Sequence, residues 1–293
     1  MRRAAVALGV VTLVLVGGCG EPRSGSLGPA PTVAPATTSM PPAATPEPPP
    51  TSPPAPSRPT ARSTPPAPPR PPAGTVAVEL WYVRDGRITP TRRTRPATLA
   101  TSRLALDELA AGPTAVEASV GLGTLVPAGV EVTRITDGTA LLATVPTPGG
   151  PAAARLREAQ IVWTLTQFPT VRRVRFGTAA PVDRADYTDL LPPIVVATPA
   201  IGALVTSPVT VAGTADVFEA TVNVRVLDAS GREIATTFTT ATCGTGCRRD
   251  YHVSVGYRLD REQAGTVEVY EVSPADGSRT KLVAVPVRLT ASR

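Results

Sequence analysis

The apolar positions change their period along the chain. From Ala4 to Val16 they run almost unbroken, with one hydroxyl at Thr12. From Gly20 to Gly74 there is no period. Val76 to Val83 then alternates and is rich in β-prone residues, which predicts a strand. The turn pair Asp85-Gly86 follows, and Ile88 to Thr94 reads as a second, polar strand. A helix is expected from Pro96 to Ala111, because Leu99, Ser102, Leu106, Leu109 and Ala110 share a face at helical spacing and Pro96 suits a first turn. Gly112-Pro113 ends it. Thr114 to Gly129 reads as a loop. Val130–Ile135 and Thr139–Val145 flank Asp137-Gly138, a hairpin signal, since a type I′ turn needs positive φ at both central positions. A second helix is expected from Pro151 to Phe168, with Ile161, Val162, Leu165 and Phe168 on one face, stopped by Pro169. In the closing strand Val171–Phe176, Val174 and Phe176 point one way and Arg173 and Arg175 the other.

Beyond this the pattern is β throughout. Short runs at Ile194–Thr198, Val209–Gly213, Thr221–Leu227, Ile234–Thr240, Tyr251–Leu259, Thr266–Val272 and Lys281–Leu289 are punctuated by turn signals at Ser230-Gly231, Gly265 and Ala275-Asp276-Gly277. The expected fold is an α+β domain over residues 75–191, a sheet with its two helices on one face, followed by an all-β sandwich over residues 192–293.

Composition adds an address. Arg2-Arg3 precedes the apolar run, which at about 13 residues is too short for the roughly 20 needed to span a bilayer. Residues 1–18 therefore read as a secretory signal. Leu15-Val16-Gly17-Gly18-Cys19 resembles the lipobox of bacterial lipoproteins, with Val16 where Leu is more usual. The resemblance implies lipidation of Cys19 and anchoring on the extracytoplasmic side of the cell membrane; an ordinary signal with an incidental Cys is the alternative. Residues 19–74 hold 20 of the 35 prolines and no aromatic residue. Such a segment buries too little apolar surface to offset the entropy of ordering, so it is expected to be a disordered, semi-rigid tether. The net charge is +6, and of 29 basic residues only Lys281 is a lysine. So lopsided a ratio fits a GC-rich genome and says little about an anionic partner.

Two resemblances become specific once the elements are placed. Leu109-Ala110-Ala111-Gly112-Pro113-Thr114, Gly121-Leu122-Gly123-Thr124, Val126-Pro127-Ala128-Gly129, the Asp137-Gly138 hairpin and the segment from Gln160 to Phe168 together resemble the GerMN domain of sporulation and germination lipoproteins. Leu142-Ala143-Thr144-Val145-Pro146 departs from it, since relatives often carry an acidic residue and a Ser there. Val217 to Val222, Leu227-Asp228, Cys243-Gly244-Thr245-Gly246-Cys247 and Val267 to Glu271 resemble the immunoglobulin-like Gmad domain. The pairing implies an actinobacterial envelope lipoprotein and carries over no catalytic residue.

Candidate chemistry is sparse. Cys243 and Cys247 form an even pair in an exported chain, which favours a disulfide; a metal site with His252 and a redox pair are the alternatives. His252 alternates with apolar neighbours and is expected to face solvent. No Gly-x-Ser-x-Gly elbow occurs, and Gly121-Leu122-Gly123 lacks the third Gly of a dinucleotide loop. Asp183, Asp186 and Asp189 lack the spacing and the Glu of a calcium loop and read as a solvated linker. No cofactor or metal is expected. Arg92, Arg93 and Arg95 and then Arg172, Arg173 and Arg175 lie in or beside strands that, if neighbours, would form one basic face for an anionic envelope partner such as a wall polymer or lipid headgroups, or for an envelope protein; a solvated surface is the alternative. The address argues against nucleic acid. The expected function is a non-enzymatic, membrane-anchored binding or scaffold protein of the envelope. A sporulation or germination protein is the second reading and an envelope hydrolase the third.

Overall fold

The computed structural model describes residues 73–143 and 149–292. The signal, Cys19 and nearly all of the tether lie outside them, as do Thr144-Val145-Pro146. No helix among the described residues is long and apolar enough to cross a membrane.

The first domain opens on a hairpin, β1 (Thr75–Arg84) and β2 (Arg87–Pro96), paired along its whole length. Asp85 (φ 50°) and Gly86 (φ 69°) both adopt the left-handed conformation that a two-residue turn demands. The ladder runs further than the hydrophobic pattern suggests. Pro96 pairs with Thr75, and the Ala97 N–H donates to the Gly74 carbonyl (3.0 Å), so the chain stays extended past Pro96. The expected helix therefore starts late, as α1 (Thr101–Ala111), burying Ala105, Leu106 and Leu109. Leu99 is left outside it, 73% exposed.

The expected loop after Pro113 contains a short helix, α2 (Ala115–Ser119). It is opened by a reciprocal capping box in which the Thr114 hydroxyl accepts from the Glu117 N–H and the Glu117 carboxylate accepts from the Thr114 N–H. Strands β3 (Val132–Thr136) and β4 (Thr139–Leu142) meet at Asp137 (φ 51°) and Gly138 (φ 78°). Helix α3 (Pro151–Leu165) has Pro151 at its first position, and β5 (Arg173–Phe176) returns parallel to β4.

The strands expected to share one sheet form two ladders, β1–β2 and β3–β4–β5. Helix α3 and the turn that follows it supply the reason. Gln160, Thr164 and Gln167 fall at i, i+4 and i+7, and this polar stripe satisfies the free edge of β1. Gln167 accepts from the Glu79 N–H (2.8 Å) and donates to the Glu79 carbonyl (2.7 Å), while Thr164 accepts from the Trp81 N–H (3.1 Å). Gln160, fully buried, donates to the Trp81 carbonyl (2.9 Å) and accepts from the Leu125 N–H (2.9 Å). The edge that would take another strand is occupied by side chains. Gln160→Leu keeps most of the volume but leaves two buried backbone groups unpaired. It should lower the unfolding free energy by about 2–4 kcal/mol, read as a lower urea midpoint; an unchanged midpoint would show that Gln160 is not needed at this edge.

The second domain is a sandwich. One sheet has the order β10 (Glu233–Thr240), β9 (Thr221–Leu227), β12 (Gln263–Val272), β13 (Arg279–Leu289), β7 (Leu204–Val205). The other has the order β11 (Arg249–Val255), β8 (Val209–Ala215), β6 (Ile194–Thr198). Alternate valines of β9, β12 and β13 point into the shared core. The hydrophobic pattern missed β7, a two-residue strand running parallel to β13. It also misplaced Gly265, which sits inside β12 opposite Val287 rather than in a turn. A Cβ there would lie 2.3 Å from Leu289 Cδ1 and 2.7 Å from the Leu227 carbonyl oxygen, so this glycine serves close packing.

Candidate functional site

The arginines of β2 and β5 do not meet, because their strands belong to different sheets. Those of β2 are already engaged. Arg92 reaches Glu79 (3.4 Å), Arg93 reaches Glu108 (3.0 Å) and Glu117, and Arg95 grips both oxygens of Glu108 (2.6 and 2.8 Å). Arg93 and Glu117 are nearly closed off from solvent, at 9% and 3% side-chain exposure. Burial by itself would push the Glu117 carboxyl up, but hydrogen bonds from Arg93, the Thr114 N–H and the Thr91 hydroxyl hold it below the usual carboxylate range. Glu108 is held low in the same way, by Arg95 and Arg93 against its burial. Tyr82 lies under the Arg93 guanidinium (5.5 Å to the ring centre) and donates to the Gly112 carbonyl (2.8 Å); burial pushes its hydroxyl up to about 12. This cluster fastens α1 and α2 to the hairpin. Its centre, Arg93 and Glu117, belongs to the interior, and the more exposed Arg92 and Arg95 are ion-paired, so it is not half of a free basic face.

The β5 arginines are placed differently. Val174 points into the core while Arg173 and Arg175 are exposed. The register puts Thr139 beside Arg173, and Leu141 beside both Arg175 and, on β3, Arg134. Residues paired across strands share a face. The outer face of β3–β4–β5 therefore carries Arg134, Arg173 and Arg175, with about 7 Å between positions along β5 and roughly 10 Å across from β3 to β5. None of the three has an ion-pair partner among the described residues. Arg172 sits at the end of this face, where its guanidinium donates to the Asp137 carbonyl (3.0 Å) and covers Gly138; a Cβ on Gly138 would lie 2.7 Å from the guanidinium carbon. The sequence reading missed Arg134. The hairpin turn contained the signal, since counting straight back from Thr136–Thr139 places Arg134 opposite Leu141; the bulge lies beyond it, between Arg134 and Val132.

The other candidates resolve individually. Cys243 and Cys247 are bonded (S–S 2.05 Å, Cα–Cα 5.8 Å). His252 is exposed on β11. Asp183, Asp186 and Asp189 are not a solvated linker. Arg184–Leu190 is a 3-10 turn packed on α3 through buried Tyr187, whose hydroxyl donates to Glu158 (3.0 Å). Asp183 and Asp186 cap that turn reciprocally, and Asp189 binds Arg155 through both oxygens (2.7 and 2.8 Å). Among the described residues no group of His, Cys, Asp and Glu converges as a metal site would require. Gly123 exchanges backbone hydrogen bonds with Val83 (2.8 Å each way), so it serves the strand edge.

Residues 78–178 match a family described as sporulation and spore germination, and residues 193–278 match the immunoglobulin-like domain of bacterial spore germination. Among solved structures the chain is similar to the first GerMN domain of the sporulation protein GerM from Bacillus subtilis, at 23% identity, covering 36% of this chain and 86% of that one, TM-score 0.30. It is also similar to the tandem GerMN domains of the same protein, at 15% identity, covering 75% of this chain and 62% of that one, TM-score 0.32. No curated protein matches the chain.

Proposed function

From a chain that joins a sporulation and spore germination domain to an immunoglobulin-like domain of spore germination, we propose a membrane-anchored envelope protein of sporulating or related bacteria that binds and does not catalyse. Neither matched family is described by a reaction. Lipidation of Cys19 supplies the anchor on the extracytoplasmic side, and residues 19–74 supply the reach. The partner is an anionic polymer of the envelope, met on the outer face of β3–β4–β5. One observation carries this reading: Arg134, Arg173 and Arg175 project from one sheet face with no ion-pair partner among the described residues, while Arg92, Arg93 and Arg95 of the same domain are each paired with a glutamate. An unpaired exposed cation keeps its charge for a ligand, and the attraction weakens with salt.

The test is binding of the mature chain to purified anionic wall polymer at several salt concentrations. Reversing all three charges (Arg134→Glu, Arg173→Glu, Arg175→Glu) should weaken binding by about tenfold or more, equivalent to about 1.4 kcal/mol, and flatten its salt dependence. Binding that is equally tight and equally salt-sensitive in the triple variant rejects the face.

A further inference from the structure

A second set of cations lies where the two domains join. Arg87, the first residue of β2, donates from Nη1 to the carbonyls of Asp189 (3.1 Å) and Leu191 (2.9 Å). Arg248, directly after the Cys243–Cys247 loop, donates from Nη2 to the Pro192 carbonyl and from Nη1 to the Thr214 hydroxyl (3.2 Å). Two guanidiniums, one from each domain, thus stand on consecutive carbonyls of the junction. Carbonyls offer dipoles and leave the charge uncancelled, and neither arginine has an ion-pair partner among the described residues. Burial holds the Arg248 guanidinium below the usual arginine range; Asp216 opposes this, and the charge of Arg87 adds to it.

Between these side chains runs an open groove of about 670 Å³, also lined by Lys281, Asp189 and Asp216. Most of the other charges there are spoken for. Asp189 is held by Arg155, and Lys281 pairs with Glu271 (2.8 Å). Asp216 accepts the Gly246 N–H (2.8 Å). Arg87 and Arg248 therefore face the groove against the single carboxylate of Asp216, which leaves an excess of positive charge.

We propose that this junction groove binds a small phosphate-type oxyanion that bridges Arg87 of the first domain and Arg248 of the second. Arginine forks suit ligands with several oxygens, and a partly desolvated groove strengthens the attraction relative to an exposed face. The bound anion ties the domains together at Leu191-Pro192, so occupancy stabilises their arrangement by mass action. The site is separate from the sheet face proposed above.

The test titrates the mature chain with inorganic pyrophosphate, by calorimetry and by thermal unfolding, against sodium chloride of matched ionic strength. Saturable binding and a raised midpoint are expected. Arg87→Gln and Arg248→Gln should each weaken binding tenfold or more, while a variant carrying Arg173→Glu and Arg175→Glu should bind as the wild type does. Arg87 is exposed at the start of β2, so its variant decides the matter even if Arg248→Gln fails to fold. No saturable binding, or unchanged binding in Arg87→Gln, overturns the site. Phosphatidylglycerol vesicles, offered to the Arg173/Arg175 variant, identify the source. Arg87-dependent vesicle binding supports a lipid headgroup in the groove; binding of pyrophosphate but not of vesicles supports a free anion.

Discussion

Glu117→Ala is expected to lower the unfolding free energy of the first domain by about 3–5 kcal/mol, the cost of breaking a buried ion pair from one side. The carboxylate of Glu117 accepts from Arg93, from the Thr91 hydroxyl (2.9 Å) and from the Thr114 N–H (2.6 Å). Its loss leaves three donors in a site that solvent barely enters, and one of them is charged. Arg93 Nε already has no partner there, which adds to the exposure of the cluster to such a change. Replacing both partners, Arg93→Met with Glu117→Leu, removes both charges and should recover much of the loss; the double-variant cycle in urea measures the coupling. The same cluster sets an acid limit. Glu108 and Glu117 have folded-state pKa values below those of the unfolded chain. Their contribution is therefore fully present above the unfolded carboxylate range, near pH 4.3, and is lost as pH falls through the folded values. The urea midpoint of the wild type should fall on acidification below about pH 4.5, and that of the double variant should fall less. Equal acid sensitivity in both would assign the effect to other carboxylates.

What could be read in advance divides by the range of the interaction. Asp85-Gly86 and Asp137-Gly138 were legible because a two-residue turn imposes positive φ on the residues that form it, a local demand. The alternating valines of β9, β12 and β13 were legible because a half-buried strand writes period two into the sequence. Pro96 misled because a proline fits the end of a strand as well as the start of a helix, and the Gly74–Ala97 hydrogen bond that decides between them spans the hairpin. The stripe Gln160, Thr164, Gln167 is visible at helical spacing, but its partner, the bare edge of β1, is 79 to 88 positions away in sequence. The basic face shows the same limit. Arg93 and Arg173 look alike in sequence; one meets Glu117 inside the domain and the other meets solvent. Only strand pairing separates them, and the same pairing adds Arg134.

Gly213→Val should prevent the second domain from folding, and even Gly213→Ala should cost it at least about 3 kcal/mol, the upper end of ordinary overpacking. Gly213 lies in β8, the middle strand of the three-stranded sheet, between Tyr251 on β11 and Val196 on β6. A Cβ there would fall 1.9 Å from the Val195 carbonyl oxygen, 2.9 Å from its carbon and 3.0 Å from the Tyr251 hydroxyl. The first two are backbone atoms, so no rotamer change relieves the contact and β6 must move off β8. That movement also breaks the hydrogen bond from the buried Tyr251 hydroxyl to the Val195 carbonyl (3.1 Å). Gly213 has no positive φ, so it is glycine for space and not for conformation. The side chain of Val195 packs with the core of the first domain, which carries the damage across the junction. Both tryptophans, Trp81 and Trp163, lie in the first domain. Their fluorescence should therefore still report a cooperative transition in Gly213→Ala, at a modestly lower midpoint, while calorimetry shows the sandwich transition shifted down much further. Unchanged calorimetric midpoints in Gly213→Ala would mean that β6 and β8 are not packed as closely as this geometry requires.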